Sequence, residues 1–132
     1  MQLTINDTDY NFRFGIGFVN KLDQKNIITR ENIKFGAGLE LSVGKVLDQS
    51  VPELAEILLT ANATEVPKLQ KKDLYDYIDD ENTDIEELFN EVTEELKNSN
   101  ATKLKVAKVI EEAEKQRRIA EMQQRLLEKQ LC

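Results

Sequence analysis

The chain has 132 residues, 40% of them hydrophobic and 33% charged, with a net charge of −7, a balance that suits one soluble, folded domain and excludes a disordered or membrane-embedded one. It has no histidine, and its single cysteine, Cys132, is the last residue, which removes the ordinary zinc ligands, any internal disulfide and most acid–base or nucleophilic chemistry near neutral pH. Residues 1–72 are balanced in charge, residues 73–98 hold eleven acidic side chains against one basic, and residues 99–132 hold eight basic against five acidic, so an acidic middle precedes a mildly basic tail and nonspecific nucleic-acid binding is disfavoured.

Leu3 and Ile5, then Tyr10, Phe12 and Phe14, alternate with polar neighbours at the period of a half-buried strand. Asn6, Asp7, Thr8 and Asp9 supply the turn between them, which predicts an N-terminal β-hairpin whose aromatic face something must cover. Ile16, Val19 and Leu22 then recur as one side of a helix, and a loop follows with Ile27, Ile28 and Ile33 as anchors. Leu39, Val43, Val46 and Leu47 mark a second helix. Ser50 and Glu53 frame a capping box with Pro52 in the first turn, opening a third helix through Leu54, Ile57, Leu58 and Ala61.

Past a break at Pro67, Leu74, Tyr77 and Ile78 predict a short helix. Thr83 and Glu86 give a second capping box ahead of the stripe Ile85, Leu88, Phe89, Val92 and Leu96. Residues 98–100, Asn-Ser-Asn, stop that helix, and from Ala101 to about Leu131 neither Gly nor Pro interrupts a last one. Its apolar positions are dense over Leu104, Val106, Ala107, Val109, Ile110 and Ala113, then thin out at Ile119, Met122, Leu126 and Leu127, so part of it is expected to project. The division is a core domain over residues 1–100 and a partly projecting C-terminal helix over 101–132.

Four stretches invite a chemical reading. FGIGF at 14–18 and FGAGL at 35–39 suggest phosphate loops, but Asn20 and Leu41 stand where the dinucleotide fingerprint needs its third glycine, and Val46 replaces the Ser or Thr of a P-loop. The glycines are read as easing elbows into helices. Residues 80–91 space their oxygens like a calcium loop, yet Ile85 takes the place of the turn glycine and begins an apolar helical stripe. Ser42 and Lys45 have the spacing of a penicillin-binding serine and lysine without the partner motifs. No catalytic, cofactor or metal site emerges. The surface that remains is the C-terminal helix, where Leu104, Ile110, Arg117, Arg118, Ile119, Met122 and Leu126 form a candidate partner-binding set, for another helix or for the acidic 73–98 segment of a neighbouring copy.

In order, QLTIND, YNFRFGIGFVNKLD, IKFGAGLEL and IEELFNEVTEELKNSNATKLKV over residues 1–106 resemble the tail assembly chaperones of long-tailed, siphovirus-type bacteriophages of Gram-positive bacteria. The resemblance implies a non-enzymatic helper in the cytoplasm of the infected host, with no cofactor. It would bind the tape measure protein and keep it soluble until the tail tube polymerises around it. The expected fold is α+β, predominantly α, with an N-terminal β-hairpin on a helical bundle and a long C-terminal helix. Expected partners are the tape measure protein, further copies of the chain as a homo-oligomer, and the tail tube protein, with neither nucleic acid nor membrane. The rival reading is a self-assembling scaffold that builds a ring or filament through its C-terminal helix.

Overall fold

The computed structural model describes residues 1–131, and Cys132 lies outside the described residues. The order of elements is β1 (Gln2–Ile5), β2 (Thr8–Asn11), α1 (Ile16–Lys25), β3 (Ile27–Arg30), β4 (Ile33–Gly36), α2 (Gly38–Leu47), α3 (Val51–Asn62), α4 (Lys71–Asp79), α5 (Ile85–Asn98) and α6 (Lys103–Leu131). The fold is therefore predominantly α, with an N-terminal hairpin and a long C-terminal helix, as the sequence predicts. The β part is two separate antiparallel hairpins, β1–β2 and β3–β4.

The first hairpin turns more tightly than the composition suggests. Asn6 and Asp7 alone make the turn, both at positive φ (52° and 63°), a left-handed pair that matches strand twist and that Asn and Asp tolerate better than most side chains. Thr8 and Asp9 join the ladder opposite Ile5 and Thr4, and Thr4 Oγ1 donates to Asp9 Oδ1 at 2.5 Å. Leu3 and Ile5 point into the core, Tyr10 is half-buried beside them, and Phe12 and Phe14 are buried just beyond β2. Two bonds fasten the end of this hairpin to α3, and a third ties α3 to the loop after it. Arg13 N donates to Ala61 O at 2.9 Å, and the buried Asn62 amide donates to Asn11 O (3.0 Å) and to Pro67 O (3.1 Å).

In α1 the inward face differs from the expected Ile16–Val19–Leu22 line. Phe18 and Leu22 are buried, Val19 is half-buried and Ile16 is exposed. The reason is aromatic: Phe14, just ahead of the helix, packs edge-on against Phe18 with ring centroids 5.0 Å apart, and the larger rings set the helix phase at the i, i+4 spacing of Phe18 and Leu22.

The segment expected as an anchoring loop is instead the second hairpin, turned by Glu31 and Asn32 at φ 51° and 66°. Ile27, Ile28 and Ile33 are exposed rather than anchored. The hairpin joins the body at its base, where Ala37 N donates to Asn26 O at 2.7 Å and a Cβ on Gly38 would lie 1.7 Å from Leu22 O. Among the described residues no glycine has positive φ, and Gly36 and Gly38 serve close approach to Asp23 and Leu22 of α1.

Leu39, Val43 and Val46 of α2 are buried while Leu47 stays partly exposed, and Leu54, Ile57, Leu58 and Ala61 of α3 are buried. Ser50 caps α3 by accepting from Glu53 N, but the Glu53 carboxylate turns away from the cap to Ser42 Oγ, which donates to it at 2.5 Å. In α4, Leu74 is buried and Tyr77 and Ile78 are partly so. The second cap sits one residue later than expected: Asp84 accepts from Glu87 N at 3.1 Å, because Thr83 Oγ1 is engaged on Tyr77 O at 2.6 Å. Leu88, Phe89, Val92 and Leu96 of α5 face the core. The last helix starts at Lys103 rather than Ala101, since the buried Thr102 hydroxyl donates to Leu96 O at 2.6 Å and holds residues 99–102 as a turn.

Candidate partner-binding surface

α6 runs 29 residues without a break, about 44 Å at 1.5 Å per residue, and packs only at its start, against α2 and α5. Val106 is buried there, with Val109 and Ile110 packed against the core, and every described residue from Glu111 onward is exposed. About 30 Å of helix thus stands clear of the body. An exposed Lys105 secures the docked end: its Nζ lies 2.7 Å from Glu40 Oε1, and this hydrogen bond, reinforced by the carboxylate's charge, raises the lysine's pKa.

Of the seven residues proposed from the sequence, four share one face. At about 100° per residue, Leu104, Ile119, Met122 and Leu126 fall within a ~60° arc opposite the buried Val106, and their exposures are 74%, 40%, 63% and 55%. Arg118 borders that arc and pairs with Glu114 at 3.8 Å, and Arg125 lies on the same flank. Ile110 does not join them, being packed against the core, and Arg117 continues the Val106 side of the helix. Ile119, Met122 and Leu126 form a short apolar stripe with a basic flank, and Leu104 stands on the same face about 22 Å nearer the body, beyond Lys115 and Lys108.

Sequence reasoning missed two further surfaces. Ile27 and Ile33 of the second hairpin are each 57% exposed. The signal for that hairpin was present in NIITRENIKF, where two β-branched runs flank a Glu-Asn pair able to form a two-residue turn. The other is a shallow apolar groove of about 250 Å³ between α3 and α4, to which chain-distant residues contribute and for which no local pattern exists.

The chemical alternatives close on geometry. The start of α2 holds no space for a phosphate, because Leu39 N is taken by Asp23 Oδ1 at 3.1 Å and Gly38 lies against Leu22 O. In the acidic loop, Asp80 Oδ1 accepts from Asn82 N at 2.9 Å while Asp84 caps α5, so two of the would-be calcium oxygens serve the turn and the helix end. Among the described residues no cluster of three metal-ligating side chains occurs. Ser42 and Lys45 both address the Glu53 carboxylate, at 2.5 and 3.9 Å, which keeps the hydroxyl proton turned to an acid rather than to a lysine base. Tyr77, partly buried and near Glu91, has its pKa raised, chiefly by burial, and so stays a neutral packing residue. No helix among the described residues is long and apolar enough to cross a membrane.

A family model described as phage tail assembly chaperone protein, TAC, matches residues 2–111. The matched segment runs from β1 to the point where α6 leaves the body. Its members assist assembly and are not enzymes. No curated protein and no solved structure matches the chain.

Proposed function

The chain belongs to the phage tail assembly chaperone family, and on that premise we propose that it binds the tape measure protein in the host cytoplasm and keeps that long helical client soluble until the tail tube polymerises around it. The observation that supports this reading is the exposed stripe of Ile119, Met122 and Leu126 on the part of α6 clear of the body, with Leu104 exposed on the same face of its docked end. A helical client with its own apolar seam would bury that stripe, removing from water on both partners surface worth about 25 cal/mol per Å². Such contacts are weak singly. Many copies along one client multiply their effect through effective concentration, which favours a chaperone that acts as an oligomer. In this reading residues 1–100 form the body that carries the arm, residues 101–132 the arm itself, and the tail tube protein displaces the chaperone by covering the same client surface.

The test is co-expression with the tape measure protein. The client is expected in the soluble fraction, co-purifying with the chaperone. Replacing Ile119, Met122 and Leu126 together by Asp is expected to return most of it to the pellet while the chaperone itself stays folded, since all three side chains are exposed. A client equally soluble with the triple variant would overturn the reading.

A further inference from the structure

The groove between α3 and α4 is lined by Val51, Pro52, Ala55, Tyr75, Ile78 and Asp79. At about 250 Å³ it falls short of the ~300–1,000 Å³ of small-molecule sites, and its apolar floor suits aliphatic side chains of a helix. The charged residue in its lining is Asp79, and the helix that carries it is charged unevenly. At the C-terminal end of α4 stand Asp76, Asp79, Asp80 and Glu81, and the two cations at the other end are engaged, Lys72 with Asp76 at 3.8 Å and Lys71 over the Tyr75 ring at 5.3 Å. Asp79, Asp80 and Glu81 have no ion pair among the described residues.

We infer that this groove receives the projecting part of α6 from a second copy of the chain. The two surfaces are complementary twice over. The stripe of Ile119, Met122 and Leu126 supplies the apolar side chains, and on one flank of it Arg125, with Arg118 exchanging its exposed pair with Glu114 (3.8 Å), supplies the cations for Asp79 and its acidic neighbours. The arm cannot fill its own chain's groove. Its first turns are fixed on α2 and α5, whereas the groove belongs to α3 and α4, and a helix with neither Gly nor Pro from Lys103 to Leu131 has no point at which to fold back. The contact is head-to-tail: each copy offers an arm and a groove that are different surfaces, so association closes into a ring or continues as a filament. Self-docking covers the stripe when no client is present. A client helix then competes with a neighbour's groove for the arm.

The inference rests on the reading of α6 as an interaction arm, and it is tested with the pure protein, without any client. Sedimentation velocity is expected to show concentration-dependent association of the full chain at up to ~100 µM, weakened by added salt. Two charge-reversed variants, R118E/R125E and D76K/D79K, alter exposed side chains only and are each expected to associate at least ~10-fold more weakly. Mixed in equal amounts they restore association, because the reversed arm meets a reversed groove and the natural arm a natural one. A full chain that sediments as a monomer throughout, or a mixture no stronger than its components, overturns the inference. A natural chain that stays monomeric yet keeps the client soluble would sink this proposal alone, and one that associates as expected but leaves the client in the pellet would sink only the chaperone reading.

Discussion

The two hairpins are built alike and end differently. Each has two four-residue strands joined by a two-residue turn with both residues at positive φ, and each pairs four residues in register. Yet the first buries Leu3 and Ile5, while the second exposes Ile27, Ile28 and Ile33. An isolated hairpin is marginal in water, so each needs support from elsewhere. The first gets it from α4, which packs on β1, and from the Asn62 and Arg13 bonds to its end. The second is held by its base, through Gly38 and the Ala37–Asn26 bond, and its apolar residues remain available to a partner. Turn chemistry makes a hairpin, and neighbours decide what it is for.

That contrast breaks most severely at Gly38. Gly38→Ala places a Cβ against backbone atoms of Leu22 and Asp23, which cannot yield as a side-chain tip can, and is expected to cost more than about 4 kcal/mol or to prevent folding, read by guanidinium unfolding. Next is the pair Ile5→Ala and Ile33→Ala. The first should cost about 3 kcal/mol through cavity formation, and the second should stay within about 0.5 kcal/mol because its side chain is exposed. Equal losses would mean that the second hairpin is packed after all. Asn62→Ala strands Asn11 O, Pro67 O and Leu69 N, the last of which the amide oxygen accepts from at 2.7 Å. It should lower stability by about 2 kcal/mol, with hydrogen exchange speeding up in β1–β2 and not in β3–β4.

Smaller effects sharpen the likeness. Asp7→Gly and Glu31→Gly both relieve a left-handed residue and should each gain about 0.5 kcal/mol in thermal unfolding, to a similar extent, because the turn is a local matter. The smallest effect is alkaline. Lys105 and Tyr77 both have raised pKa values in the fold, from Glu40 and from burial respectively. Their protonated forms are thus the ones the fold favours. Their contribution is complete below the ordinary values of 10.5 and 10.0 and is lost as pH rises through the raised ones. Lys105→Met should flatten part of that alkaline decline in a pH series of melting curves, by lowering stability slightly at neutral pH, where the pair is complete, and converging with the natural chain at high pH.

Much of the body was legible because its signals are local and strong. The stripe in α5 and the caps at Ser50 and Asp84 need only helix geometry and orphan N–H groups, although the second cap moved by one residue once Thr83 found Tyr77 O. Ile16 misled because a threefold recurrence of aliphatics in α1 was outweighed by contact between Phe14 and Phe18. The candidate arm was legible as a helix. Which of its side chains belong together was only partly so: Leu104, Ile119, Met122 and Leu126 share a face, whereas Ile110 is drawn to the core.

Composition alone determined that this protein works without histidine or an internal disulfide, and helical periodicity fixed most of its elements, since those depend on neighbours within a few residues. The tertiary structure decided which apolar residues are spent on the core and which are left over. The isoleucines of β3–β4 read the same as buried ones in sequence, and only the placement of other elements, tens of residues away, leaves them uncovered, whereas the thinner spacing of aliphatics in distal α6 already marked that segment as projecting.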